Sequence, residues 1–379
     1  HEILPLALLL TGGGARASYQ VGVLRAVAKL RPDLEIPILT GVSAGGINAT
    51  FLASAPGGLD ESVQGLCDLW LSLDPEKVFR VDASSMLRGA ARWILRLGSG
   101  GSGLAPRTRG LVDTSPLRTL LESAMETVDG ELVGVRRNLE KGRLAAVALS
   151  TVDYGSGRTI VWSEGSDIET WTRPYRRCVE TRLRVDHVMA SAALPMLFPA
   201  VRLGGHWYGD GGVRLTSPLS PAIHLGARRI LAVSTRYQRS WEQVSAPAVT
   251  RYPPPAQVAG VLLNAIFLDL LDQDALHLER TNELLAGFGG SHDRLRHVDL
   301  VTIRPSADLG RMASDYESQL PGAFRFFTRG LGTRETKDSD LLSLLMFQRD
   351  YTARLIDMGE ADAMAHSEDL LRLFADDDA

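Results

Sequence analysis

The N-terminal part of the chain alternates short apolar runs with segments of helical periodicity. The first run, residues 3–10, carries no charge and predicts a buried strand. Helical spacing follows and ends at Arg31-Pro32, with apolar side chains at Val21, Leu24, Val27 and Leu30. A second apolar run, residues 36–42, leads into another helical segment that stops at Pro56. This repetition of strand, tight turn and helix predicts an α/β fold with parallel strands.

Strand-like segments recur along the chain to about residue 305. They are predicted at residues 142–151, 157–162, 228–235 and 297–305, and residues 198–212 predict two short strands joined at Gly204-Gly205. We therefore expect an α/β fold whose central, mostly parallel sheet is flanked by helices. Its core is expected over residues 1–235. Residues 236–379 are expected to form a largely helical C-terminal extension of the same globule, which contributes a strand near residues 297–304.

The C-terminal third is predicted to be mostly helical. Residues 258–288 are rich in apolar side chains and predict one long helix or two. Residues 340–359 predict one further helix, which we expect to begin near Asp338–Asp340 and to end at Gly359. Earlier in the chain, residues 98–110 are rich in glycine and serine and predict a flexible connection.

Composition and charge exclude several classes of protein. The chain has 379 residues and a formal net charge of −4, which argues against a nucleic-acid-binding protein. Its two cysteines are too few for a disulfide framework and indicate a reducing compartment. The eight histidines form no metal-ligand spacing, so neither a metal nor a cofactor is expected. No apolar run reaches the roughly 20 residues of a membrane-spanning helix. We expect a cytoplasmic protein, free or peripherally bound to a membrane.

Three consecutive glycines follow the first predicted strand. Gly12, Gly14 and Ala17 match the GxGxxG/A fingerprint of dinucleotide-binding enzymes. That fingerprint also needs an acidic residue about 20 positions later, at the end of the second strand. Asp33 and Glu35 have this separation, but they precede the second strand and so stand at its wrong end. The glycine amides are therefore expected to bind a different negative charge.

The second predicted strand runs into the sequence GVSAG, residues 41–45. GxSxG between a strand and a helix is typical of a nucleophile elbow, in which a sharp turn exposes the serine hydroxyl. If Ser43 attacks an ester, the resulting oxyanion needs pre-positioned N–H donors. The amides of Gly12, Gly13 and Gly14 are candidates for those donors. An ordinary glycine-rich turn is the alternative interpretation.

A nucleophilic Ser43 would need a neighbouring group that accepts its proton. The histidines after Ser43 lie in predicted strands, helices or surface segments, and none has the loop position of a triad histidine. Asp210 follows a predicted strand and precedes two glycines. A carboxylate whose pKa is raised by burial can act as a general base. Ser43 and Asp210 are therefore candidates for a dyad, although Asp-Gly-Gly is also a common hairpin turn.

Together these segments resemble the patatin-like phospholipase family. The motifs stand here as GGGARASYQVGVL, GVSAGG, ASAALPMLFPAV and DGG, in order between about residues 3 and 235. The resemblance implies a serine–aspartate dyad without histidine, a glycine oxyanion loop, no metal, and hydrolysis of acyl esters of lipids. It makes Ser43 the nucleophile, Asp210 the base, Gly12–Gly14 the oxyanion loop and Arg16 the arginine of that loop. Ala17 departs from the glycine that often follows this arginine in the family.

Residues 84–97 carry a separate feature. Arg88, Arg92 and Arg96 are spaced four residues apart, and Trp93 falls on the opposite side of the same predicted helix. A basic face opposite an apolar, Trp-containing face is typical of a helix that binds a membrane surface. An ordinary helix with a solvated basic face is the alternative.

The sequence thus favours a serine acylhydrolase that acts on phospholipid or lysophospholipid esters at membrane surfaces. A non-catalytic lipid-binding or scaffold protein that keeps the same motifs is the alternative. Neither the headgroup, the acyl position nor the oligomeric state is predicted.

Overall fold

The computed structural model of the chain describes most of the predicted core. The described residues are 5–80, 110–238, 270–289, 295–330 and 340–375, with shorter pieces at 91, 94–95, 98, 252–254, 257–258, 260–263 and 291–292. Arg88, Arg92, Trp93 and Arg96 lie outside the described residues, as does most of segment 98–110. The predicted membrane-binding helix is therefore still a prediction.

The strands of the described residues form a large mixed sheet and two short hairpins. Their bounds are β1 (Leu6–Leu10), β2 (Ile38–Val42), β3 (Thr127–Val128), β4 (Glu131–Leu132), β5 (Ala146–Asp153), β6 (Arg158–Gly165), β7 (Thr172–Arg173), β8 (Arg176–Glu180), β9 (Val201–Leu203), β10 (His206–Asp210), β11 (Arg229–Val233), β12 (Ser291–His292), β13 (Leu295–Arg296) and β14 (Asp299–Ile303). The large sheet has the order β14–β11–β1–β2–β5–β6–β8–β7. From β14 to β5 each strand is parallel to the next, whereas β6 runs antiparallel to β5.

Helices cover both faces of this sheet. Their bounds are α1 (Ser18–Leu30), α2 (Ala44–Ser54), α3 (Leu59–Leu71), α4 (Pro75–Val78), α5 (Ser115–Ala124), α6 (Val133–Glu140), α7 (Val185–Ser191), α8 (Ser220–His224), α9 (Leu270–Ala286), α10 (Leu309–Tyr316), α11 (Gly322–Gly330), α12 (Asp340–Leu345), α13 (Arg349–Ala365) and α14 (Ser367–Phe374). Successive side chains of a strand point to opposite faces, and in β1 Leu8 belongs to the larger apolar core whereas Leu9 belongs to a smaller one that includes α8 and α9. The α/β fold class predicted from the sequence is confirmed. None of the helices in the described ranges is long and apolar enough to cross a membrane.

The predicted single helix over residues 340–359 is wrong in two respects. The structure has two helices there, because the chain breaks at residues 346–348 between α12 and α13, and α13 continues through Gly359 to Ala365. Gly359 does not end the helix. It lies against α1, where an added Cβ would overlap the carbonyl oxygen of Tyr19. The glycine therefore marks a close approach of two helices and not a helix terminus.

Candidate active site

The register of three strands brings Ser43 and Asp210 together. The first half of β5 pairs with β2, where Val42 lies beside Ser150. The second half of β5 pairs with β10, where Asp210 lies beside Thr151. Because β10 runs antiparallel to β5, it approaches the end of β2 from the opposite direction. The residue after β2 and the last residue of β10 consequently meet at one point of the sheet.

Ser43 occupies a strained turn at the start of α2. Its backbone has φ 57° and ψ −133°, which a residue other than glycine rarely adopts. Its N–H donates to Ser191 Oγ at 3.0 Å, and that hydroxyl donates in turn to the carbonyl of Ser150 at 2.8 Å. Gly45 permits the turn to close, since a Cβ there would overlap the carbonyl of Leu10. This geometry is that of a nucleophile elbow.

Asp210 is completely buried beside Ser43. Its Oδ1 accepts the Gly212 N–H at 2.9 Å, whereas Oδ2 is buried without a hydrogen bond of standard geometry among the described residues. Burial raises the pKa of Asp210 to about 7, and the interactions with the Ser43 side chain and the Gly212 N–H oppose that rise. The Asp210 N–H donates to the carbonyl of Ala193, which fixes the carboxylate's backbone. The site thus holds a carboxylate with spare accepting capacity next to a serine hydroxyl.

The glycine loop lies directly against Ser43. An added Cβ at Gly12 would be 3.0 Å from the Ser43 Cβ. Side chains bind the loop's carbonyls: Gln20 donates to the carbonyl of Thr11 at 2.7 Å, and Thr235 donates to that of Gly12 at 2.6 Å. Within the described part of the chain, no hydrogen bond uses the amides of Gly12–Gly14 as donors. These amides are therefore available to an incoming oxyanion.

Arg16 is buried, and its side chain is tied to the C-terminal helix α12. Its Nε donates to Ser343 Oγ at 2.6 Å, and its Nη2 forms an ion pair with Asp340 Oδ1 at 2.6 Å. The next residue, Ala17, has φ −67°, an ordinary helical value. Alanine in place of the family's glycine therefore costs no backbone strain here.

A small, mostly apolar cavity lies beside Ser43. Gly14 and Ser43 form its polar end, and aliphatic and aromatic side chains form most of its wall, including Leu69, Trp70, Leu121, Leu194, Phe198 and Phe347. Such a cavity favours a hydrocarbon chain attached to the group that Ser43 would attack.

No histidine is hydrogen-bonded to Ser43 or Asp210 in the residues that the structure describes. His187, the most buried, accepts the Arg184 N–H through Nδ1 at 3.0 Å and packs against Trp162. Burial lowers its pKa to about 4. It serves as a helix cap, and the site contains a carboxylate where a triad would have an imidazole.

The geometry also bears on the dinucleotide interpretation. Asp33 and Glu35 precede β2, whereas the glycine loop and Ser43 follow the carboxyl ends of β1 and β2. Five residues of strand separate the two ends, which is roughly 16 Å at 3.3 Å per residue. The acids therefore cannot hold the ribose of a nucleotide bound at the glycines.

Ser191 and Thr235 support the site, although the sequence did not single them out. Ser191 holds the elbow and lies inside the ASAALPMLFPAV motif. Thr235 holds Gly12 and follows β11, the neighbour of β1 in the sheet. A hydroxyl at the carboxyl end of a predicted strand, residues 228–235, was the available signal for Thr235.

Solved structures of similar proteins have low identity to this chain. VipD from Legionella pneumophila is 15% identical with a TM-score of 0.37, over 98% of this chain and 75% of that one. Human GIVD cytosolic phospholipase A2 is 14% identical with a TM-score of 0.43, over 98% and 60%. The type III effector protein ExoU is 14% identical with a TM-score of 0.37, over 97% and 53%. The chain thus spans less than two thirds of the last two.

The family comparison is more direct. No curated protein matches the chain. The family model described as Patatin-like phospholipase matches residues 8–223, which is more than half of the chain and includes the glycine loop, Ser43 and Asp210. This chain belongs to the patatin-like phospholipase family.

Proposed function

We propose that this protein is a serine acylhydrolase that cleaves acyl esters of phospholipids or lysophospholipids, with Ser43 as nucleophile and Asp210 as general base. The observation that carries the proposal is the buried Asp210 carboxylate, whose Oδ2 has no standard hydrogen bond and lies next to a serine in an elbow. A carboxylate in that state is a suitable acceptor for the serine proton.

Hydrolysis proceeds in two steps in this proposal. Asp210 takes the proton of Ser43 as the hydroxyl oxygen attacks the acyl carbonyl, and the amides of Gly12–Gly14 hold the oxyanion. The tetrahedral intermediate collapses, the protonated Asp210 gives its proton to the departing alcohol, and an acyl-enzyme remains. Water, deprotonated by Asp210, then attacks the acyl-enzyme; as the bond to Ser43 breaks, Asp210 returns the proton to the serine oxygen and the fatty acid is released.

The cavity beside Ser43 supports a lipid as the substrate. Its polar end is at Gly14 and Ser43, and the rest of its wall is apolar. An acyl chain placed in the cavity would bring its carbonyl carbon to the Ser43 hydroxyl and its carbonyl oxygen to the glycine amides. Each buried methylene contributes about 0.8 kcal/mol of binding, which favours long acyl chains over acetyl esters.

Access from a membrane surface is supported by Met196. This residue is 69% exposed, has a positive φ of 64°, and lies between the cavity-lining residues Leu194 and Phe198. An exposed apolar side chain in the segment that lines the cavity suits contact with a bilayer. Sedimentation with phospholipid vesicles tests this: Met196→Ser should bind more weakly than wild type, and Leu284→Ser, equally exposed on α9, should not.

The experiment that tests the activity is labelling with a fluorophosphonate, alongside hydrolysis of a soluble ester. Wild type should be labelled at Ser43 and should turn over the ester, whereas Ser43→Ala should do neither. Asp210→Asn should lose about 10⁴-fold in kcat, and the double variant should lose little more because residues that act as a unit are not additive.

Two results would count against the proposal. Turnover by Ser43→Ala at the wild-type rate would remove the serine mechanism. Binding of lipid vesicles by a folded wild type that neither hydrolyses esters nor reacts with the fluorophosphonate would favour the non-catalytic lipid-binding alternative.

A further inference from the structure

The oxyanion loop is held from one side by a helix of the C-terminal region. Residues 340–347 lie more than 100 positions beyond the segment that the family model matches. They nevertheless contact the loop segment at two places, the side chain of Arg16 and the backbone of Gly14. The same stretch also lines the cavity beside Ser43, through Phe347.

The Arg16 contact is buried and charged. The side chains of Arg16 and Asp340 are only 4% and 14% exposed, and the guanidinium reaches both the carboxylate and the carbonyl of Asp340. Ser343 accepts from Arg16 and donates to the same carbonyl at 2.7 Å. Removing one partner from a buried charged network is costly, and Arg16 would lose a contact that fixes its position.

The Gly14 contact transmits that position to the loop. Gly14 has φ 53°, and a Cβ added there would overlap the carbonyl of Leu344 in α12. Gly14 begins the turn of 3₁₀ helix Gly14–Ala17 that contains Arg16. The amides of the loop and the guanidinium of Arg16 therefore belong to one short rigid segment that lies on α12.

Residues 340–347 also contribute to the wall of the cavity, through Phe347. Phe347 follows α12, stacks on Trp70 with ring centroids 6.3 Å apart, and meets Phe79 edge-on at 6.3 Å. A single stretch of the C-terminal region thus contacts the oxyanion loop at one end and the cavity wall at the other.

We propose that Asp340 and Ser343 are positioning residues of the oxyanion loop, so that the C-terminal region is part of the catalytic unit. They act through Arg16, which the geometry assigns to holding the loop and not to binding the lipid phosphate. This inference rests on the proposed acylhydrolase function. A loop that is misplaced by about 1 Å can lower the rate by about 10²-fold, and the loss falls on the transition state because the oxyanion exists only there.

The test compares Asp340→Asn and Ser343→Ala with a control substitution that also removes a contact between the C-terminal region and the core. Glu360 of α13 forms ion pairs with Arg25 and Lys29 of α1, away from the loop, so Glu360→Gln also removes a charged link between the C-terminal region and the core. For a soluble ester, Asp340→Asn should lose about 10- to 100-fold in kcat with KM within about twofold of wild type. The rate constant of fluorophosphonate labelling should fall in proportion. Glu360→Gln should keep the wild-type kcat and the wild-type rate constant of labelling.

Ser343→Ala keeps the inference testable if Asp340→Asn does not fold, because it removes only a hydroxyl. We expect a smaller loss in kcat of the same kind. Wild-type kcat in folded Asp340→Asn or Ser343→Ala would overturn the inference while leaving the acylhydrolase function intact. Equal losses of kcat and melting temperature in Asp340→Asn and Glu360→Gln would also overturn it. An inactive, unlabelled wild type would instead refute the proposed function itself.

Discussion

Gly14 in the oxyanion loop and Gly359 in α13 each lie against the main chain of another helix. At both positions an added Cβ would overlap a carbonyl oxygen, that of Leu344 for Gly14 and that of Tyr19 for Gly359. Gly14 also has φ 53°, whereas Gly359 lies in the middle of a regular helix. The same steric requirement therefore applies to a loop beside Ser43 in one region and to the packing of two helices in the other.

The ion pairs near Gly14 and near Gly359 differ in their burial. The ion pair of Arg16 with Asp340 is buried beside the site, whereas Arg25 pairs with Glu360 and Asp357 where its own side chain is 31% exposed. Exposed pairs contribute roughly 0–1 kcal/mol because water and salt screen them. A buried pair is costly to break and fixes geometry. We therefore expect the position of a contact relative to Ser43, and not its type, to decide whether its loss lowers activity or only stability.

The largest difference between the two regions is expected when Gly14 and Gly359 are each replaced by alanine. Gly14→Ala should lower kcat by about 10²- to 10³-fold, because the loop must shift and oxyanion donors are lost. Gly359→Ala should leave kcat unchanged and lower the free energy of unfolding by about 1–3 kcal/mol through overpacking. Steady-state kinetics and thermal unfolding of both variants make the comparison. A loss of stability without a loss of kcat in Gly14→Ala would show that the two glycines have the same role.

Much of the fold was predictable because its signals are local. Each of these signals needs fewer than fifteen consecutive residues. They are the strand ends before Gly12 and before Ser43, and the hairpin at Gly204-Gly205 with the aspartate that follows it. The family match covers these segments. Their catalytic roles stay predictions until the variants are measured.

The remaining features depend on contacts between distant parts of the chain. Arg16 and Asp340 are 324 positions apart, and no local pattern connects them. A glycine after a helical pattern usually ends the helix, so the sequence predicts a helix end at Gly359. In the structure this glycine is explained instead by its packing against Tyr19. In the sequence, a tertiary contact of this kind is visible only as a glycine. The sequence does not show which residue packs against it.

A second, smaller effect should appear in the pH dependence of the site. Because the pKa of Asp210 is raised to about 7 by burial, and because only the carboxylate can accept the serine proton, kcat/KM should fall about tenfold per pH unit below about 7. Glu360→Gln in the C-terminal region should leave this profile unchanged. Hydrolysis of a soluble ester between pH 5 and 9 measures it, and a profile flat down to pH 5 would exclude Asp210 as the titrating base.

The pKa of Asp210 also predicts how the stability of the fold depends on pH. Activity should rise as Asp210 loses its proton, whereas stability should fall. A carboxyl group whose pKa is higher in the folded than in the unfolded chain stabilises the fold fully only below about pH 4, and that stabilisation is lost as the pH rises to about 7. Asp210→Asn stays neutral throughout. Its melting temperature relative to wild type should therefore be higher at pH 8 than at pH 5, even though its activity is lost at both.

The smallest expected effect concerns the shape of the acyl cavity, to which the C-terminal region contributes Phe347. Phe347→Leu removes part of the stack on Trp70 and should deepen the cavity, so the preferred acyl chain should lengthen. At about 0.8 kcal/mol per buried methylene, each further carbon that fits should raise kcat/KM about fourfold relative to wild type. Phe374→Leu is the matched control, since Phe374 is buried in α14 and does not line the cavity. Both variants should lose stability, and only Phe347→Leu should change the order of preference in a series of esters from C6 to C18. If both variants keep the wild-type order, the cavity beside Ser43 does not hold the acyl chain. If both change it equally, the C-terminal region influences the substrate only through the stability of the fold.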